Sequence, residues 1–288
     1  MTLNLAQSAP TTVPASDKPA LTLIVLTDFF PAAHRAIQYA AELAAPLGAR
    51  LLLLYVRDDS QLDSKLAPDD SKERDQDLRA AVRALADELY VPTTIEMVAD
   101  LQLSTAADLA KRHAPALFVL GRADESLNEA EVGVAVLEVL RGGPLPLLVV
   151  PETYQGSSTP TQAVVAADGE PFTLDKPLAA LQLIAQLEPR MTVVTVSGIA
   201  DNQACATSLR QVKASGLADA ASHVTLEAIR HAYPVEGLFK AITLTKADLL
   251  ILVARRRSFL GTMFHRSVTN RLLRTCHIPM LVLPAIDG

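Results

Sequence analysis

The chain repeats itself, and that duplication limits what it can fold into more than any other feature. The stretch "LTLIVLTDFFPAAHRAIQYAAELAAPLGARLLLLYV" runs from Leu21 to Val56. Its apolar opening, Leu21–Leu26, suits a strand covered on both faces. From about Ala32 to Leu47, the residues Ala33, Ile37, Ala40, Ala41 and Ala44 fall on one helical stripe. Gly48 predicts the end of that helix, and Leu51–Val56 reads as a second buried strand. Strand, helix and strand of this length make a βαβ unit with parallel strands. "TQAVVAADGEPFTLDKPLAALQLIAQLEPRMTVVTV", Thr161 to Val196, carries strand, Asp, helix and strand in the same order. Asp168 follows Asp28 by 140 residues (168 − 28). Pro284 of "HIPMLVLP" follows Pro151 of "PLPLLVVP" by 133 (284 − 151). A period that holds a whole domain means duplication rather than a solenoid.

Each half fills in alike. In the first, helices are predicted near Ser71–Leu89, Ser104–His113 and Ala135–Arg141, and strands near Thr93–Val98, Leu117–Leu120 and Pro146–Val150. In the second, the helices are Asp201–Ala214, Val235–Lys246 and Val268–Thr275, and the strands His223–Ile229, Leu249–Val253 and Met280–Leu283. Alternation throughout predicts an α/β protein of two tandem, doubly wound, five-stranded parallel sheets. The expected division is a flexible Ser/Thr/Pro/Ala-rich leader at 1–20, a first domain at 21–151, a turn-rich linker at 152–160 and a second domain at 161–288.

Composition narrows the function classes. The net charge of −6 argues against a nucleic-acid or anionic-membrane binder, which needs a basic face. No run of about 18 uncharged apolar residues offers a membrane span, and the N-terminus lacks the pattern of a secretory signal. The two cysteines, Cys205 and Cys276, stand far apart, which fits a reduced, cytoplasmic protein. The six histidines show no paired metal-ligand spacing, so no metal is expected, and no nucleophile motif marks a catalytic residue.

The words "LIVLTDFFPAAHRAIQYAAELAAPLGARLLLLYV" and "ADLLILVARRRSFLGTMFHRSVTNRLLRTCHIPMLVLP" resemble the universal stress protein family in its tandem form, over residues 21–151 and 161–285. The resemblance implies a Rossmann-like, adenine nucleotide alpha hydrolase-like fold and a stress-response role. It also implies a nucleotide site, with ATP, ADP or AMP as ligand, made by an Asp after the first strand, a main-chain group after the second, and a three-glycine loop closed by Ser or Thr. Bare glycine N–H groups can approach phosphate closely, and the helix that follows favours negative charge. By the family's pattern, Asp168, Val196, Ser267 and Val268 keep their places in the second half, while Val253, Arg256 and Arg266 stand where the glycines belong. In the first half Asp28, Val56, Gly121 and Gly133 match. Asp124 replaces the middle glycine, Val134 replaces the hydroxyl, and the loop is one residue short.

The cluster Arg255, Arg256, Arg257, His265 and Arg266 then has three readings. Its guanidinium groups grip a small anion at the mouth of the sheet, as side-chain substitutes for glycine N–H groups. Or they meet the acidic duplicate loop, which carries Asp124, Glu125, Glu129 and Glu131. Or they are solvated. The expected ligand set is Asp168, Val196, Arg255, Arg256, Arg266, Ser267 and Val268, with a weaker set at Asp28, Val56, Gly121 and Gly133. Asp28 and Asp168 also suit a turn or a helix cap. The competing expectation is a non-enzymatic scaffold that associates through its last strands, Pro146–Val150 and Met280–Leu283, either between chains or within one chain. A slow ATP hydrolase is the third.

Overall fold

The computed structural model describes residues 19–27, 31–56, 77, 80–98, 101, 103–123, 145–198, 202–255 and 268–287. The first half comprises β1 (Thr22–Thr27), α1 (Pro31–Leu47), β2 (Arg50–Val56), a helical stretch at 80–87, β3 (Thr93–Val98), α2 (Leu103–Arg112), β4 (Ala116–Arg122) and β5 (Leu147–Pro151). The second comprises β6 (Gln162–Ala166), β7 (Phe172–Leu174), α3 (Leu178–Leu187), β8 (Arg190–Ser197), α4 (Asn202–Ala214), β9 (His223–Arg230), α5 (Pro234–Thr245), β10 (Leu249–Arg255), α6 (Val268–Thr275) and β11 (Met280–Asp287). The βα alternation is as the sequence predicts. The leader up to residue 18 and the helix expected at 135–141 lie outside the described residues.

The strands form one sheet in the order β3-β2-β1-β4-β5-β11-β10-β6-β8-β9. Every pairing within a half's five core strands is parallel. The central pair, β5 with β11, is antiparallel and joins the halves. Leu148 pairs with Leu281 there. These two occupy the same place in the repeat, since 281 − 148 is the 133 that separates the closing prolines. A local two-fold axis therefore runs through that pair, and the exposed edge that each last strand would otherwise carry is used up within the chain. Two cores follow, one per sheet face, and both run through the junction. One lies under α1, residues 80–87, α3 and α4 and takes Leu148 and Leu281. The other lies under α2, α5 and α6 and takes Leu147, Val149, Met280 and Val282. Strand side chains alternate between them.

Residues of the expected linker pack against the first half. Tyr154 and Ser158 are buried, Arg35 of α1 donates from Nε to the Tyr154 carbonyl at 2.7 Å, and the rings of Tyr39 and Tyr154 meet edge to face at 6.1 Å.

The halves differ most where α1 would recur. The sequence predicts a helix between Asp168 and the next strand, and one forms as α3, but where the first two turns of α1 would recur the chain makes β7, which pairs antiparallel with Ala285–Asp287 of β11. The reason lies across the sheet. A Cβ on Gly121 would stand 2.0 Å from the Ala32 carbonyl oxygen, so β4 and the start of α1 touch backbone to backbone. Leu23 pairs with Leu117, and its counterpart Ala163 pairs with Leu249, which sets Val253 at the place of Gly121. Valine leaves no room for a helix entering at that height. The chain runs extended instead and buries Phe172 and Leu174 against the core.

Candidate functional site

β6, β10 and α6 converge at the carboxyl ends of the second-half strands, where doubly wound sheets hold ligands. A cavity of about 320 Å³ opens there. Its walls are mostly apolar: Ala166 of β6 lies between Leu252 and Val253 of β10 and Val194 and Val196 of β8, and Phe172, Leu238 and Leu272 complete the lining. Polar groups enter from Asp168, Arg255 and Thr269. Gly237 of α5 shapes the wall, because a Cβ at that position would lie 2.4 Å from Val196 Cγ1.

Asp168 and Arg255, expected side by side as ligand contacts, hold each other. Arg255 donates from Nη1 to Asp168 Oδ2 at 2.7 Å and from Nη2 to Asp168 Oδ1 at 2.9 Å. The same two nitrogens reach Glu170 Oε2 and the Glu170 carbonyl, each at 2.9 Å. The bidentate fork is the geometry that gives Arg–carboxylate pairs their strength. Asp168 also accepts the Glu170 N–H at 3.1 Å, with Gly169 at φ +83° between them, so it makes the turn that the sequence suggested. The Arg255 side chain is 13% exposed and that of Asp168 62%. The three side chains sum to one negative charge. Unaided, they favour a hydrogen-bond donor over a phosphate.

Among the remaining expected residues, Val196 lines the cavity and Val268 stands at its rim as the first residue of α6. Arg256, Arg266 and Ser267 lie outside the described residues, as do Asp28, Gly133 and the acidic loop at 124–131. In the first half, Val56 is half-buried against the α2-side core, and Gly121 serves the contact with α1. Phe172, Leu238 and Gly237 escaped the sequence reading. Phe172 alternates with Thr173 and Leu174 for only three residues, too few to read as a period, and Gly237 and Leu238 lie inside a predicted helix with no pattern of their own. Among the described residues no three His, Cys, Asp or Glu side chains converge as metal ligands, and no helix is long and apolar enough to cross a membrane.

The first-half strand carries its own arginine. Arg122 is 4% exposed. It donates from Nη1 to the Arg274 carbonyl and from Nη2 to the Cys276 carbonyl, the second at 2.6 Å. Both acceptors belong to the carboxyl end of α6, in the other half.

Two βαβ-built halves joined through their last strands, with a crevice at the strand ends, fit one family model twice. The universal stress protein family matches residues 21–151 and again 155–284. The chain belongs to that family. Membership places this universal stress protein among stress-response proteins of α/β fold. It is similar in structure to a universal stress protein from Archaeoglobus fulgidus DSM 4304, at 14% identity and a TM-score of 0.65, covering 91% of this chain and 97% of that one. It is also similar to the cytoplasmic domain of a prokaryotic cation chloride cotransporter, at 12% identity and a TM-score of 0.54, covering 94% and 96%. At these identities the likeness is one of fold. No curated protein matches the chain.

Proposed function

We propose that this universal stress protein is a cytoplasmic binding protein rather than an enzyme. Its second-half crevice takes a small ligand with an apolar or aromatic body and an anionic head, and the candidates to titrate are ATP, ADP and AMP. The observation that carries this reading is the apolar cavity with Asp168, Arg255 and Glu170 joined at its mouth. The walls suit a ring, Asp168 can accept from it, and the anionic head falls to Arg256 and Arg266, which adjoin the site in sequence. Calorimetric titration of the full chain tests it. Binding is expected in the wild type, with a fall of about tenfold or more in affinity for Asp168→Ala. The absence of heat at about millimolar ligand contradicts it.

The second reading is a scaffold without a nucleotide. Two observations favour it: both Asp168 oxygens are already engaged by Arg255, and Val253 fills a glycine's place. It predicts no heat with any of the three nucleotides. The pairing of β5 with β11 inside one chain then leaves those strands no outward edge for self-association, so light scattering should give a monomer.

A further inference from the structure

Helix α6 is held at its two ends by different halves of the molecule. At its amino end Val268, Thr269 and, one turn on, Leu272 line the second-half crevice. At its carboxyl end the Arg274 and Cys276 carbonyls accept from Arg122 of the first half. A helix leaves its last carbonyls open, and a cation there also lies at the negative end of the dipole. Between the ends α6 leans on α5, where Arg271 Nη2 meets Glu236 Oε1 at 2.6 Å. That pair is exposed, and exposed pairs hold weakly. Arg122 is buried, so water is poorly placed to replace it.

We propose that Arg122 is a positioning residue for the second-half crevice: acting from the tip of β4 through α6, it holds one wall of the crevice, so that binding in the second half depends on a side chain of the first. The proposal rests on the crevice reading above. Its mechanical part can be tested without any ligand. Arg122 directly follows Gly121, whose fit against Ala32 fixes the tip of β4 to α1. A movement of that tip reaches α6 as a movement of the crevice wall. Arg255 cannot substitute, because it sits on the opposite sheet face, engaged with Asp168 and Glu170.

Cys276 supplies the reporter. It follows α6 directly and is fully buried, and burial pushes its thiol up to about 11. The experiment uses the full chain with Cys205→Ser, so that one thiol remains, and measures its reaction with DTNB under native conditions. Arg122→Met removes the donors and keeps the apolar stem, and Arg122→Lys restores a cation. Leu109→Ala in α2, a truncation on another helix of the same core, controls for lost global stability. At matched global stability, Cys276 of Arg122→Met should react about tenfold faster or more than that of the control, with Arg122→Lys between them. AMP or ATP affinity should fall by a similar factor in Arg122→Met. Equal thiol rates in Arg122→Met and Leu109→Ala overturn the proposal, as does unchanged nucleotide affinity beside a faster thiol. Should the wild type bind no nucleotide, the nucleotide reading falls, and the thiol rates still decide whether Arg122 holds the wall.

Discussion

β4 and β10 are the same strand written twice, yet their terminal arginines do opposite things. Arg122 follows Phe118 and Leu120 onto the α2–α5–α6 face and reaches across to the other half. Arg255 follows Ile251 and Val253 onto the α1–α3 face and stays at home with Asp168. Ladder pairing explains the split. Gly121 corresponds to Val253, so Arg122 corresponds to Ala254, and Arg255 lies one residue further on. One step along a strand moves a side chain to the other face of the sheet. Duplication therefore supplied one frame, and a one-residue displacement of an arginine made one copy a brace between halves and the other a closure over the crevice.

The two copies differ most in the position before the arginine of β4. Gly121→Val should destabilise the protein by at least about 3 kcal/mol, because the new side chain meets α1 backbone that cannot yield. The reverse change, Val253→Gly, should cost only about 2 kcal/mol, for lost burial and a freer strand. Urea unfolding of both variants gives the two numbers, and equal costs would remove the explanation for β7.

A smaller asymmetry lies at two helix ends. Gly48 closes α1 at φ +58°, and its counterpart Glu188 closes α3 at φ +46°. Glu188→Gly should stabilise the protein by about 1 kcal/mol, by relieving a left-handed non-glycine residue. An unchanged or lower Tm would contradict that.

A pH effect sharpens the contrast between the sheet edges. At the β3 edge, hydrogen bonds from Arg112 and His113 hold the Glu96 carboxyl below the usual 4.5. A depressed folded-state pKa adds stability that is present above the unfolded value and lost as pH falls through the folded one. Wild type should therefore lose more stability than Glu96→Gln on acidification below about pH 4.5, and parallel pH–Tm curves would deny Glu96 that role. The smallest change expected is for Asp168→Asn, less than about 1 kcal/mol, since its partner is shielded but the carboxylate is in water.

Much of the fold can be read in the sequence. Continuous apolar runs mark the strands because both faces are covered, and α6 and β9 begin at the residues their patterns predict. β7 was hidden because three residues are too few for a period, and because its partner lies more than a hundred residues away at the chain's end. The site was half legible. Asp168, Val196 and Val268 do surround the cavity, since a βαβ frame fixes where strand ends meet. That Arg255 would grasp Asp168, and Arg122 a carbonyl 154 residues distant, depends on tertiary reach that no local pattern encodes.

The two arginines can be weighed directly against each other by equilibrium unfolding of Arg122→Ala and Arg255→Ala under one set of conditions. Losing Arg122 leaves the buried Cys276 carbonyl without its donor and should cost more than about 2 kcal/mol, whereas losing Arg255 frees carboxylates that water can serve and should cost about 1 kcal/mol or less. A larger loss for Arg255 than for Arg122 would contradict the division of labour between the two halves.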